Sequence, residues 1–258
     1  MSMLRTIAEL SSQTLERVRL GEAEHEVVAG LQDRVTLPLG SVPGLEVADR
    51  YLPSSSPVGM GGDWYDGSRL DDGRYLVVVG DIAGHGITAV ADMIQVRSIV
   101  TALARGGVPL GKVFPQATGL LVGGRDLVTA SVAMAIVDPV GGTIEYVHAG
   151  HPPLLLRHAD GTVDVLEGAR QSLLGLPVDE VRPGTVSFEP GAMLVAYTDG
   201  LIERRDESFD ESVARLVSVV TDLDDTATLG EQADGLLGAC LGEGEPEDDV
   251  AVVLVRRA

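Results

Sequence analysis

An apolar run that ends on a carboxylate constrains this chain more than any other stretch. Residues 75–79, YLVVV, show no polar alternation, which predicts a strand covered on both faces and hence a layered fold. Asp81 follows where that strand leaves the core, and the chain breaks at once into the glycine-punctuated loop IAGHG at 82–86. A carboxylate held there is destabilising unless something neutralises it. Gly84 and Gly86 let the loop fold tightly around a small hard ligand, and magnesium or manganese suits a site built from oxygens. The competing reading is that Asp81 merely caps the helix that opens near Ile87.

A second acid is brought to the same place by a turn. Asp71-Asp72-Gly73 is a hairpin signal, so Trp64–Leu70 and Arg74–Gly80 are expected to pair antiparallel. That pairing sets Asp63 beside Asp81, although the two are remote along the chain. The arrangement of apolar strand and terminal aspartate recurs at Ala192–Tyr197, which runs into Thr198-Asp199-Gly200. It recurs again where the acidic stretch GEGEPEDD at 242–249 leads into the closing strand Val250–Val255, placing Asp248 and Asp249 at a strand boundary. Four places thus set acids at the ends of core strands, and their mutual repulsion calls for cations. Two divalent ions about 3.5 to 4 Å apart can share one carboxylate and hold a water of lowered pKa, a nucleophile for in-line attack on phosphorus. No GxSxG, HExxH or Walker-type GxxxxGK[ST] competes with that chemistry.

The remaining pattern supplies the elements that would carry such an edge. Strands are expected at Leu45–Tyr51, at Thr129–Val137 and Thr143–Val147 across DPVGG, and at Leu154–His158 and Thr162–Leu166 across ADG. Helices are expected at Ile87–Ala104, after Pro109 with interruptions at Pro115 and Gly119, at 209–221 and at 227–241. His148 and His151 lie in the turn HAGHPP at 148–153, where structural hydrogen bonds are favoured over general acid chemistry.

Ahead of residue 37 an amphipathic helical segment, 1–36, precedes the main domain, 37–258; it packs on that domain or pairs with a copy of itself in a homodimer. A net charge of −20 disfavours nucleic acid and membrane surfaces as partners. The lone Cys240 excludes an intrachain disulfide and disfavours a zinc cluster. With no signal pattern and no apolar run expected to span a bilayer, the protein reads as cytoplasmic.

GGDWYD at 61–66, GDIAGHG at 80–86, HAGHPP at 148–153, YTDGLIE at 197–203 and EDDVAVVLV at 247–255 together carry a family resemblance. Their order and spacing resemble metal-dependent serine/threonine phosphatases of the protein phosphatase 2C (PP2C) superfamily. The closer likeness is to the bacterial branch typified by the stage II sporulation protein E phosphatase and the phosphatases that regulate sigma factors. The resemblance implies an α+β fold, two antiparallel β-sheets packed as a sandwich and flanked by helices in four layers, αββα. It implies two divalent cations, Mn2+ or Mg2+. Asp81 takes the place of the bridging carboxylate and Ile82 that of a backbone carbonyl ligand. Asp199 and Asp248 resemble ligands of one ion and Asp63 a ligand of the other, directly or through water; Asp249 takes the place beside the terminal ligand Asp248 and supports it without itself binding an ion; Asp81 and Asp199 act in catalysis through the metal-activated water. The implied substrate is a phosphoserine or phosphothreonine on an anti-sigma-factor antagonist. Two departures stand out: Ala83 occupies the place of a histidine proposed as general acid in the animal-type enzymes, and Ala251 replaces the threonine of a closing DDxT. A non-catalytic scaffold that binds a phosphoprotein, and a phosphatase of small phosphoesters, are the alternatives.

Overall fold

The computed structural model describes residues 39–40, 42–54, 62–84, 86–121, 128–177, 182–204, 206–242, 246 and 248–258. The helical segment 1–36, with the homodimer expected of it, lies outside the described residues, as does His85.

The described chain forms eleven strands and four α-helices. In chain order the strands are β1 (Leu45–Leu52), β2 (Trp64–Arg69), β3 (Tyr75–Ile82), β4 (Ala130–Asp138), β5 (Thr143–Ala149), β6 (Leu154–Arg157), β7 (Val163–Leu166), β8 (Arg170–Gln171), β9 (Gly184–Ser187), β10 (Met193–Tyr197) and β11 (Val250–Arg257). The helices are α1 (Gly86–Arg105), α2 (Leu110–Leu121), α3 (Phe209–Thr221) and α4 (Leu229–Leu241). One sheet runs β1-β11-β10-β6-β7; the other runs β2-β3-β4-β5-β8, with β9 also paired to β5.

Strand β3 shows why the unbroken apolar run is needed. Its residues alternate between two cores: Tyr75, Val77 and Val79 face the space between the sheets, whereas Leu76 and Val78 face α1 and α2. Strand β11 does the same in the other sheet, with Ala251, Val253 and Val255 toward the inter-sheet core and Val250, Val252 and Leu254 toward α3 and α4. Helix, sheet, sheet and helix thus stack as the expected αββα layers, and each sheet buries both faces.

The elements expected within the described residues all form, β8 and β9 are additional to them, and three expectations are corrected. Helix α2 continues through Pro115, because Val113, Phe114, Ala117 and Leu121 bury against the sheet and outweigh one lost backbone bond. The sandwich is not wholly antiparallel: β8 joins β5 in parallel over two residues. Finally, α1 is long and apolar enough by length and composition to cross a membrane, contrary to the expectation that no run approaches that length. Here it is a core helix. Val90, Met93, Val96 and Val100 bury against the sheet, and Arg97 reaches Asp66 of β2 at 3.3 Å.

Two helix starts are fixed locally. Ser208 and Glu211 form a capping box at α3, and Thr228 and Glu231 form another at α4, which offsets the glycines inside α4.

Candidate metal centre and adjoining cleft

The β2–β3 hairpin sets the first two acids. Trp64 pairs with Gly80, and one step beyond, Gly62 accepts a 3.1 Å hydrogen bond from the Ile82 amide, so Asp63 comes to lie across from Asp81. Asp199 arrives from the other sheet. β10 ends at Tyr197, Thr198 bonds through its amide to the Ala251 carbonyl and through its hydroxyl to the Ala251 amide, and Asp199 opens a single 3-10 turn, Asp199–Leu201. Carboxylate oxygens of Asp63, Asp81 and Asp199 all lie within 4.8 Å of one another. The sandwich therefore assembles three acids from three separate strand ends at one edge.

Their electrostatics are those of an uncompensated cluster. Burial first, then the charges of Asp81 and Asp199, push the Asp63 carboxyl well above the ordinary carboxylate range. Asp81 is pushed up to about 7, by burial and then by Asp199, while a hydrogen bond with Asp63 opposes the rise. Asp199 is raised by burial and by Asp248. Oδ2 of Asp63 is buried with no hydrogen-bond partner. An orphaned buried oxygen on a carboxyl crowded by two further carboxylates is what a divalent cation would satisfy. The capping reading of Asp81 fails, since Asp81 belongs to β3 and α1 begins only at Gly86.

Gly62 shapes the cradle. A Cβ there would collide with Asp81 Oδ1 and lie 2.8 Å from the Ile82 carbonyl oxygen. Asp81 Oδ1 and the Ile82 carbonyl oxygen thus both lie close against Gly62, an approach that only a residue without a side chain allows. Gly200 allows a similarly close approach, as a Cβ there would collide with the Asp249 carbonyl.

The two closing acids differ from each other. Asp248 is exposed at the rim, outside the tight trio, yet its charge raises both Asp81 and Asp199. Asp249 is buried and turned away into protein: it accepts hydrogen bonds from the Tyr51 hydroxyl at 2.8 Å and the Ser54 amide at 2.7 Å, and its own amide donates to Asp248 Oδ1 at 2.8 Å. It ties the end of β1 to the residue that approaches the cluster. Gly62, Tyr51, Ser54 and Thr198 were not singled out from sequence. Their roles depend on the β1–β11 and β10–β11 registers; the only sequence signals were the GGD and TDG strings.

The histidines are structural. His151 donates from Nε2 to the Tyr197 carbonyl at 2.9 Å and accepts at Nδ1 from the Ser131 hydroxyl at 2.8 Å. Burial lowers its pKa to about 4, so it stays neutral and pins the strand end that carries Asp199. His148 packs between the carbonyls of Gly168 and His151. Ala251, at the place of the closing threonine, buries its methyl in the inter-sheet core.

Beside Asp199 a cleft of about 430 Å³ opens between the His151 turn and the segment leading into α3.

Residues 71–258 match the family described as stage II sporulation protein E (SpoIIE). Phosphoserine phosphatase RsbP of Bacillus subtilis is 28% identical over 161 residues, covering 60% of this chain and 39% of that protein. Protein IcfG of a Synechocystis strain is 22% identical over 204 residues, covering 63% of this chain and 32% of that protein. The chain thus spans about a third to two fifths of these curated relatives. A crystal structure of the RsbU and RsbW domains of Rv1364c from Mycobacterium tuberculosis superposes with a TM-score of 0.75 at 27% identity, covering 85% of this chain and 61% of that one.

Proposed function

The chain belongs to the stage II sporulation protein E family of PP2C-type phosphatases, and from that premise we propose that it hydrolyses phosphoserine or phosphothreonine on a regulatory protein, an anti-sigma-factor antagonist. The observation that carries this reading is the close trio Asp63, Asp81 and Asp199, in which Asp63 is buried with one oxygen left unpartnered. RsbP is named a phosphoserine phosphatase, and the similar Rv1364c structure joins an RsbU to an RsbW domain, which supports a protein partner.

Asp81 would bridge two Mn2+ or Mg2+ ions, Asp63 and the Ile82 carbonyl would serve one side, and Asp199 and Asp248 the other. When bound, the ions supply charge neutralisation at the phosphate and a water that ionises near neutral pH. The chain's own part is positioning. β3 holds Asp81 rigidly, His151 and Thr198 fix the β10 end, and Asp249 with Tyr51 and Ser54 fixes the approach of Asp248. Burial of the cluster strengthens each charge interaction there. A cytoplasmic location belongs to the same proposal and is supported by the single cysteine, free and buried. So does dimerisation through 1–36, supported by the amphipathic spacing of that segment.

The test is phosphate release from a phosphoserine protein with Mn2+ and with EDTA, comparing wild type with Asp199→Asn. Metal-dependent release that the substitution lowers by at least about a hundredfold is expected. A folded wild type that releases no phosphate with Mn2+ or Mg2+ would turn the reading to a binding scaffold.

A further inference from the structure

The cleft beside Asp199 is far larger than a phosphoryl group, and its lining is unevenly satisfied. Arg204 is spoken for: it donates to the Cys240 carbonyl at 2.8 Å and lies 3.5 Å from Glu207. Glu207 in turn is held by Arg215 at 3.0 Å and by Ser212. Arg170 differs. It lines the same cleft, is exposed, and its guanidinium has no hydrogen bond or ion pair among the described residues. In a chain of net charge −20, where Arg50, Arg74, Arg97 and Arg157 all hold acids, Arg69 and Arg105 are likewise exposed without a hydrogen bond or ion pair among the described residues, but Arg170 alone of these three lines the cleft.

Its placement is held firmly. β8 pairs His148 with Arg170, the His148 amide donates to Ala169, the Gly150 amide donates to Gln171, and the buried His148 ring bonds to Gly168. Ala169 is the one non-glycine residue among those described with positive φ, 58°, a conformation maintained by those surrounding bonds. Phe209, 48% exposed, adds an apolar surface to the same cleft.

We propose that this cleft seats the residues flanking the phosphorylated side chain, and that Arg170 pairs with an acidic side chain among them. This rests on the phosphatase reading and deepens it. The phosphorylated residue sits at the Asp199 end and the acid at the Arg170 end, so a mostly acidic surface accepts an acidic substrate in one orientation. Arg170 is then a specificity-determining residue: a guanidinium fork matches a carboxylate geometrically, and a partly solvated pair discriminates about fivefold.

The experiment uses the Mn2+-loaded full chain and three phosphoserine peptides flanked by Glu, Ala or Lys, with wild type, Arg170→Ala and Arg170→Glu. In wild type kcat/KM should favour the Glu peptide over the Lys peptide about tenfold, mostly through KM; Arg170→Ala should level the ratio, and Arg170→Glu should invert it. A ratio that stays the same in all three proteins overturns the assignment. So does an Arg170→Ala loss that is equal for all peptides and for p-nitrophenyl phosphate, which would put the guanidinium on the phosphoryl group instead. Fluorescence anisotropy with labelled, unphosphorylated Glu and Lys peptides separates this from the phosphatase reading. A Glu preference in wild type that Arg170→Glu inverts supports the cleft even if no phosphate is released, and equal binding of both peptides to wild type overturns it.

Discussion

Asp81→Asn should make the metal-free protein more stable while removing the proposed activity, and the size of the gain follows from the site. The Asp81 carboxyl lies at about 7 against an ordinary 3.8. The folded state therefore binds this proton more tightly than the unfolded chain does. Stability from this group is full below about pH 4, declines as pH rises toward 7, and is lost above it. At about 1.4 kcal/mol per pKa unit the ionised carboxylate opposes folding at pH 8 by about 4 kcal/mol, or about 2–4 kcal/mol allowing for its partial exposure. Asparagine cannot ionise, so the variant escapes that loss. For a domain of this size 1 kcal/mol moves Tm by about 2–4 °C, so thermal unfolding in EDTA at pH 8 should show Asp81→Asn about 4–16 °C above wild type. At pH 5, where the folded wild type keeps its proton, the gain should shrink to about a third of that. Adding Mn2+ should raise wild type past the variant, since only wild type retains the full ligand set. A variant no more stable than wild type at pH 8 in EDTA, or a gain independent of pH, would refute the account of crowded, uncompensated carboxylates.

Gly62→Ala forces a methyl against Asp81 Oδ1 and the Ile82 carbonyl; calorimetric Mn2+ titration should show affinity reduced by at least about tenfold, with wild-type affinity as the contrary result. Tyr51→Phe deletes the hydroxyl that donates to buried Asp249; urea unfolding should report a loss of about 1–3 kcal/mol, and no loss would mean Asp249 is satisfied without it. Asp66→Ala removes the carboxylate that accepts from Arg97 at 3.3 Å and from the Thr101 hydroxyl at 3.2 Å; a loss of about 1.5–3 kcal/mol is expected by the same method, the range for a hydrogen bond to a charged group, with no loss as the contrary result.

Much of this was legible in sequence because the underlying signals are local and strong. The run Tyr75–Val79 announced a strand buried on both faces, and the Asp71-Asp72-Gly73 turn fixed a hairpin whose register brings Asp63 to Asp81. The third acid needed more, since Asp199 joins them only through the packing of one sheet on the other; it entered through motif order and through recurrence of the strand–aspartate pattern. Asp248 and Asp249 could not be told apart by position. Their opposite fates, one at the rim and one bonded to Tyr51 and Ser54, depend on the β1–β11 register that places Tyr51 opposite Ala251. β8 and β9 went unread for a different reason: two and four residues are too few to show a period, and both are held by backbone pairing to β5. Arg170 was invisible on the same grounds, an arginine in the unpatterned string GARQS. Pro115 misled because the breaker rule describes an isolated helix, whereas α2 is held by its buried face.

If the strand-end acids form the proposed two-cation centre, Mn2+ binding has a fixed stoichiometry. Equilibrium dialysis of the folded protein at neutral pH should give two ions per chain in wild type, fewer in Asp63→Asn and none held tightly in Asp81→Asn. A folded wild type that binds no Mn2+ or Mg2+ saturably, or an Asp81→Asn variant that binds as wild type does, would contradict it.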